Sequence, residues 1–187
     1  NGAERRRREA DGWVRFEFQE TAPLPSYLIA LAVGDLELAD GLPVGKTPLR
    51  MVATRGKTRL GGEALAAANA SLSALERYFE RPYPFGKLDL AAVPNFGPGA
   101  MENAGLVTFR EELVLTNARS SSLMRRRMQA VMAHELAHQW FGNLVTMRFW
   151  DDLWLNEGFA TWMQGKICDQ AFPGFGARTE RALERNY

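Results

Sequence analysis

The pattern His134-Glu135-x-x-His138 constrains this chain more than any other feature of its sequence. The two histidines are four residues apart, so on a helix their imidazoles leave the same face, one turn apart. Glu135 lies about 100° around that helix from His134, within reach of a water held by the same metal ion. Two imidazoles and a carboxylate are the protein ligands of an open catalytic zinc site. We assign Glu157 as the third ligand, with eighteen residues between it and His138.

A purely structural role is the alternative, in which a buried helix carries two histidines with ordinary hydrogen-bond partners. The residues around the pattern are mostly apolar, namely Met128, Val131, Met132, Ala133, Leu136, Ala137, Trp140 and Phe141. In such surroundings an unpartnered polar or charged group costs several kcal/mol. One metal ion satisfies His134, Glu135 and His138 together, and the chain contains no other histidine. The residues therefore favour zinc over a structural role.

The positions after the pattern distinguish between classes of zinc protease. A metzincin has Gly and His at the positions where this chain has Phe141 and Leu144. The inverted order, His-x-x-Glu-His, is absent from the sequence. The class that remains has a glutamate as its third ligand.

A glycine-rich stretch at residues 94–105 precedes this pattern and contains a single glutamate, Glu102. Such a turn lets backbone approach a ligand closely, and the Glu102 carboxylate can then pair with a cationic amine. A surface turn with an incidental glutamate is the alternative. Through three motifs, the chain from about Trp13 to its end resembles the gluzincin zinc aminopeptidases of the aminopeptidase N and puromycin-sensitive type. The motifs are Gly99-Ala-Met-Glu-Asn103, His134-Glu-x-x-His138 and Trp154-Leu-Asn-Glu-Gly-Phe-Ala160.

The resemblance implies a zinc aminopeptidase that removes N-terminal residues from peptides. One zinc ion per chain is expected on His134, His138 and Glu157, with Glu135 as the general base. The free N-terminus of the peptide is expected to bind at Gly99, Ala100, Met101, Glu102 and Asn103. The resemblance also implies that an oxyanion-stabilising tyrosine and a helical domain covering the cleft lie outside this chain.

Two rival functions stay open at the level of sequence. One is an endopeptidase on the same zinc site, whose substrates need no free amine. The other is a peptide-binding module of the same fold with little or no catalysis, which holds metal weakly or not at all. Metal analysis of the purified protein separates the binding module from the enzymes.

Composition narrows the partners and the compartment. The net charge of +1 argues for neither nucleic acid nor a membrane surface, so we expect no nucleic-acid partner. A lone cysteine, Cys168, excludes an internal disulfide framework and is expected to be a small buried side chain. No signal peptide or membrane-spanning segment is visible. Because the first residue is Asn1, we expect a piece of a longer chain, whose ends do not indicate a compartment; a soluble, cytoplasmic protein is slightly favoured.

The order of elements predicts an α+β fold in two parts. By the resemblance, residues 1–46 are the C-terminal strands of an N-terminal β domain, and residues 47–187 are a truncated thermolysin-like catalytic domain of sheet plus helices. In the first part we expect a solvated loop at residues 1–12. A half-buried strand at 13–20 and a buried strand at 27–33 are expected to follow.

In the second part the apolar spacing predicts both strands and helices. The strands are expected at 49–54, 88–93 and 106–109, and the helices at 61–80, 123–141, 153–171 and from 179 onward. If the strands flanking the glycine-rich stretch share a sheet, that stretch lies along a sheet edge, where an extended peptide can add. We expect an N-cap at residues 120–122. Asp151 and Asp152 are candidate partners of the histidines, with a surface or capping role as an equal alternative. Trp150 and Trp154 are expected in the core and not stacked on substrate.

Overall fold

The computed structural model describes residues 1–176, so the helix expected from residue 179 lies outside the described residues. These residues form two β-sheets and four α-helices. The strands are β1 (Glu4–Ala10), β2 (Trp13–Phe18), β3 (Leu36–Asp40), β4 (Leu49–Thr54), β5 (Leu88–Val93), β6 (Ala100–Met101) and β7 (Leu106–Arg110). The helices are α1 (Gly62–Phe79), α2 (Glu111–Val114), α3 (Ser122–Ala137) and α4 (Leu153–Ala171). The α+β prediction is confirmed.

The larger sheet has the strand order β3-β4-β5-β7-β6. Its three central strands run parallel, while β3 and β6 pair antiparallel at the two edges. Strands β4 and β5 are buried along nearly their whole length, as expected for parallel strands covered on both faces. Each strand carries one charged residue, and these two side chains pair, with Arg50 Nε 2.7 Å from Asp89 Oδ1. The position of β6 confirms the prediction that the glycine-rich stretch reaches a sheet edge.

Helices α1, α3 and α4 share one hydrophobic core with the inner strands of this sheet. The fully buried side chains of the three helices include Leu72, Leu75, Met132, Leu136, Met163 and Ile167. Burying each of these side chains stabilises the fold by about 1.5–3 kcal/mol. Cys168, which is also fully buried, belongs to the same core, as predicted. The packing holds α3 against α4, the two helices that carry the proposed metal ligands.

Two arginines at the start of α3 are positioned by partners that the sequence did not reveal. A positive charge there opposes the helix dipole. Arg125 donates to both carboxylate oxygens of Glu63 at the start of α1, at 2.8 and 3.1 Å from Nε. Arg126 donates to the Phe175 carbonyl at 2.5 Å and lies over its ring. These contacts offset the dipole, and Ser121 caps the helix by accepting from the Met124 N–H at 3.2 Å, as predicted.

The expected loop at residues 1–12 is wrong, because these residues form strand β1 of an antiparallel hairpin with β2. Asp11 and Gly12 have φ angles of 53° and 78°. A two-residue hairpin turn needs positive φ at both positions, and Asp-Gly is a preferred pair for it. The strand at 13–20 is present but is not half-buried, since the aromatic side chains of Phe16 and Phe18 are exposed. No other element within residues 1–176 covers that face.

The buried strand expected at residues 27–33 is also wrong. A single 3₁₀ turn occupies Ser26–Leu28, and irregular backbone follows it. Leu28 is fully buried, but Leu31 and Val33 are 80% and 86% exposed. A run of apolar residues becomes a buried strand only where neighbouring strands pair with it, and none does so among the described residues.

Two boundaries differ from the expectations in the sequence. Helix α3 ends at Ala137 and not at residue 141, because the N–H groups of Gln139 and Trp140 make i→i+3 hydrogen bonds that tighten the backbone. Strand β3, which was not predicted, pairs with β4, so the larger sheet continues across residue 46. The division into two domains at that residue stays a prediction.

None of the helices within residues 1–176 combines the length and apolar character that a membrane crossing requires.

Candidate metal centre

The three proposed ligands come from the two helices that the core holds side by side. His134 lies in the last turn of α3, His138 caps its C-terminus, and Glu157 lies near the start of α4. The Nε2 atoms of the two histidines are 3.1 Å apart. Glu157 Oε2 lies 3.4 Å from His134 Nε2 and 3.7 Å from His138 Nε2. Ligand atoms at about 2.0 Å from a tetrahedral zinc ion lie roughly 3.3 Å apart, so the three side chains fit one ion.

Hydrogen bonds fix the tautomer of His138. Its Nδ1 lies 3.2 Å from the Phe141 carbonyl oxygen and 2.6 Å from Asn156 Oδ1. A carbonyl oxygen can only accept, so Nδ1 carries a hydrogen and donates it. In the neutral ring Nε2 then keeps a lone pair, which faces the His134 ring and the Glu157 carboxylate. A cation among these atoms satisfies them together, which is the arrangement of a metal-binding imidazole.

The charges around the site favour an additional positive charge. Burial raises the pKa of Glu135 to about 8, and the nearby carboxylates of Glu102 and Glu157 raise it further against the lowering effect of His138. Burial lowers the pKa of His138, but its bond to Glu157 and the charges of Glu102 and Glu135 outweigh this and raise the pKa to about 9. Several carboxylates thus surround a pair of imidazoles in a partly buried site. Both raised pKa values mean that the metal-free site takes up protons, and a bound dication can supply this positive charge in their place.

Glu135 and Glu102 lie beside the three proposed ligands. Ligand atoms of Glu102, Glu135 and His138 fall within 4.8 Å of one another, as do those of His134, His138 and Glu157. Glu102 and Glu135 are 6% and 7% exposed, so both carboxylates are held out of bulk water. The structure therefore brings together all five charged residues that were singled out in the sequence.

Asn156, the buried partner of His138, was missed in the sequence. Asp151 and Asp152 were candidates for this role, with a surface or capping role as the alternative. The alternative is confirmed, because both lie in the 3₁₀ turn Trp150–Asp152 and Asp152 is the N-cap residue of α4. Asn156 directly precedes Glu157, so one turn of α4 supplies both the proposed ligand and the partner that orients another ligand. Gly142 makes room for it, because a Cβ at that position lies 2.3 Å from Asn156 Oδ1. The sequence signal for this role was the position of Asn156 directly before Glu157 in the third motif.

Replacing Asn156 with leucine is expected to weaken zinc binding about 10- to 100-fold, the usual cost of losing a residue that orients a ligand. Leucine has a similar size but cannot accept the hydrogen bond from His138 Nδ1. The measurement is the zinc dissociation constant by competition with a chelator. Asn156→Asp is the comparison variant, since it keeps an accepting oxygen and replaces Nδ2, which has no partner among the described residues, with a carboxylate oxygen. Equal zinc affinity of the leucine and aspartate variants contradicts this prediction.

The glycine-rich stretch reaches the metal centre along the edge of the larger sheet. Strand β6 pairs with β7 through Ala100 and Met101 only, and its other side is the sheet edge. The Gly99 carbonyl accepts from the Arg110 N–H at 2.9 Å. The Asn103 side chain accepts from the Thr108 hydroxyl at 3.0 Å. These bonds hold residues 99–103 against β7, with Glu102 directly after the end of β6.

Three aromatic side chains near the site differ from the expectations. Trp150 and Trp154 are 66% and 67% exposed and are not part of the core. The Tyr27 ring packs against Trp150 with the centroids 5.4 Å apart. Burial, followed by the charges of Glu102 and Glu157, raises the pKa of Tyr27 to about 12. The N-terminal part of the chain thus reaches the neighbourhood of the centre, which the strand expected at 27–33 did not suggest.

Comparison with known proteins places this chain in a class of peptidases. The sequence-family model called Peptidase family M1 domain matches residues 63–186, which is most of the chain. The chain therefore belongs to peptidase family M1. The resemblance to zinc aminopeptidases found in the motifs is confirmed. This family is generally zinc-dependent, and the clusters described above can hold a metal ion.

Curated relatives agree with the family. The chain is 44% identical to a leucyl aminopeptidase of Saccharolobus solfataricus, over 97% of this chain and 24% of the relative. It is 44% identical to aminopeptidase M1-A of Oryza sativa subsp. japonica, over 87% of this chain and 19% of the relative. It is 46% identical to aminopeptidase 2 of Candida albicans, over 83% of this chain and 17% of the relative. The chain spans about a quarter or less of the length of these relatives.

Proposed function

We propose that this chain carries the zinc site and the substrate-amine site of an aminopeptidase that removes N-terminal residues from peptides. The observation that carries the proposal is the convergence of His134, His138 and Glu157 next to two further buried carboxylates, Glu135 and Glu102. The names of the three relatives agree with this activity. Within the proposal, residues 1–46 end a preceding β domain and residues 47–187 begin a thermolysin-like catalytic domain.

Each proposed group has a distinct task. His134, His138 and Glu157 hold one zinc ion, which when bound lowers the pKa of a coordinated water and polarises the scissile carbonyl. Glu135 accepts a proton from the attacking water and later delivers it to the leaving amine. His138 keeps its orientation through Asn156 while this happens.

Glu102 makes the reaction specific for the first peptide bond. Its buried carboxylate pairs with the cationic amine of the substrate, and Gly99, Ala100, Met101 and Asn103 shape the backbone around that amine. The free edge of β6 offers main-chain donors and acceptors to an extended peptide. With its amine fixed at Glu102, the peptide places only its first bond beside the metal centre.

The rival functions predict different results in two measurements. An endopeptidase on the same site cleaves peptides whose N-terminus is acetylated as readily as free ones. A binding module retains less than one zinc ion per chain after dialysis. The proposed aminopeptidase requires a free amine and retains one zinc ion per chain.

Replacing Glu102 with glutamine is expected to reduce kcat/KM for amino acid p-nitroanilides by about 10- to 100-fold. The reason is that a hydrogen bond to a charged group contributes about 1.5–3 kcal/mol, and 1.4 kcal/mol corresponds to a factor of ten. Zinc content is expected to be unchanged, because Glu102 is not among the proposed ligands. The control is Glu112→Gln, on an exposed residue of α2. Activity of the Glu102 variant equal to that of this control contradicts the amine-binding role.

A further inference from the structure

The position of Glu102 does not follow from the sheet alone. The ladder between β6 and β7 pairs Ala100 with Phe109 and Met101 with Thr108, and it ends there. Glu102 is the first residue beyond this ladder, and the backbone from Glu102 to Gly105 is irregular. A residue at such a position needs other bonds to keep its side chain in one direction.

Two buried side-chain amides supply these bonds. Gln139 Nε2 donates to the Glu102 carbonyl oxygen at 3.0 Å, and Asn143 Nδ2 donates to the same oxygen at 2.8 Å. Gln139 is fully buried and Asn143 is 2% exposed. Both residues follow directly on α3, one residue and five residues after the proposed ligand His138. The segment that carries Glu102 is therefore attached to the same end of α3 that carries the metal ligands.

The orientation of the Gln139 amide is fixed by its partners. Its Nε2 also donates to the carbonyl of Glu135 at 3.2 Å. That carbonyl is left free at the helix end, because the Gln139 N–H donates to Leu136 instead. On the other side, the Tyr83 hydroxyl lies 3.3 Å from Gln139 Oε1. Since backbone carbonyls only accept, the amide nitrogen must face Glu102 and Glu135.

We propose that Gln139 and Asn143 are positioning residues that hold the Glu102 carboxylate at the distance from the metal centre that one amino acid residue requires. The pair is called the amide clamp below. This inference rests on the proposed function, since it assigns the clamp to the amine-binding role of Glu102. The clamp also links the backbone of the proposed base, Glu135, to the segment that carries Glu102. Of the two residues, Gln139 is the one that contacts both the Glu102 carbonyl and the Glu135 carbonyl.

Because Gln139 and Asn143 donate to the same Glu102 carbonyl oxygen, the effect of removing both amides can be predicted from the effects of removing each. When one amide is removed, the other still satisfies the Glu102 carbonyl. When both are removed, a buried carbonyl is left without a partner, and the segment has to move to recover one. The effect of the double substitution is therefore expected to exceed the product of the two single effects.

The test uses Gln139→Met, Asn143→Leu and the double variant in the full-length protein. Both substitutions keep approximate side-chain size and remove the donors. Two probes differ only in the amine: alanine hydroxamate has it, and propionohydroxamate lacks it while keeping the zinc-binding group. For alanine hydroxamate, Ki is expected to rise about 3-fold in each single variant and about 30-fold in the double variant, within the range for an unsatisfied buried carbonyl. For propionohydroxamate, Ki is expected to change by less than about 2-fold. In the double variant the KM of a peptide substrate is expected to rise, and the zinc content is expected to stay at one ion per chain.

Controls separate this role from a general effect on folding. Asn69 also donates its side chain to a backbone carbonyl, that of Leu42 at 3.0 Å, in another part of the fold. Asn69→Leu therefore removes a bond of the same type at an exposed position and is expected to leave both Ki values unchanged. A merely structural clamp lowers kcat through a smaller active fraction and leaves both Ki values unchanged. If the double variant does not fold, Tyr83→Phe combined with Asn143→Leu loosens the same two amides more mildly.

The outcomes are distinguishable. Three results overturn the clamp: equal changes of both Ki values, single effects that simply multiply in the double variant, or no change at all. In each of them the amine site itself still stands if Glu102→Gln abolishes the preference for alanine hydroxamate. If the unmodified protein binds the two hydroxamates equally, or Glu102→Gln leaves the preference intact, the amine site itself is overturned, and the clamp with it.

Discussion

A Glu135→Gln variant is expected to keep its zinc and to lose about 100- to 10,000-fold in turnover, the usual contribution of a general base. Glutamine has nearly the same shape as glutamate, but its amide cannot accept the proton of the attacking water. Zinc binding is expected to survive, because Glu135 is not one of the three proposed ligands, whose ligand atoms lie 3.1–3.7 Å from each other. The expected loss is therefore in kcat, with metal content unchanged.

The measurement is kcat on an amino acid p-nitroanilide in the full-length protein, with zinc determined on the same sample. Glu112→Gln, which neutralises an exposed glutamate of α2, is the matched control for the change of charge. Turnover near that of the control in a zinc-loaded Glu135 variant assigns the base to another residue. Loss of the zinc itself shows that Glu135 supports the metal and not only the proton transfer.

The sequence was sufficient for the residues whose relation is local. His134 and His138 are related by helical spacing, and α4 runs over Leu153–Ala171 as its apolar pattern predicted. Strands β4 and β5 were predicted with the bounds that the structure has, since most of their residues are apolar and each strand is buried. In these cases each residue's environment follows from its immediate neighbours in the chain.

The sequence was insufficient where a residue's role depends on a partner far along the chain. Gln139 and Asn143 reach the Glu102 carbonyl across 37 and 41 residues, and no local pattern marks an amide for a distant carbonyl. Arg125 appeared unfavourable at a helix start until its partner Glu63 was located, 62 residues away. The apolar run at 27–33 failed for the same reason, since pairing with other strands decides whether such a run is a strand.

The metal centre joins local and distant relations, because Glu157 comes from a different helix than the histidines. Its place depends on the core between α3 and α4, in which Met132, Leu136 and Met163 are fully buried. Substitutions in this core are thus expected to act on zinc affinity through the distance between the two helices. Substitution of a ligand acts on it directly and gives the larger effect.

Replacing Glu157 with glutamine is expected to weaken zinc binding by more than about 100-fold, beyond the usual cost of losing a residue that only orients a ligand. Zinc that binds only the folded protein stabilises it by about 4 kcal/mol when its concentration is 1,000 times the dissociation constant. The unmodified protein should therefore melt at a higher temperature in zinc than in chelator, and the Glu157 variant should lose most of this difference.

Asp151→Asn, six residues earlier, is the control for removing a nearby carboxylate and should keep the full difference. Because melting does not depend on turnover, this comparison tests the ligand assignment separately from catalysis. An undiminished zinc-dependent stabilisation in the Glu157 variant means that the third ligand is another residue, for which Glu102 and Glu135 are the nearest carboxylates to His138 in the second cluster.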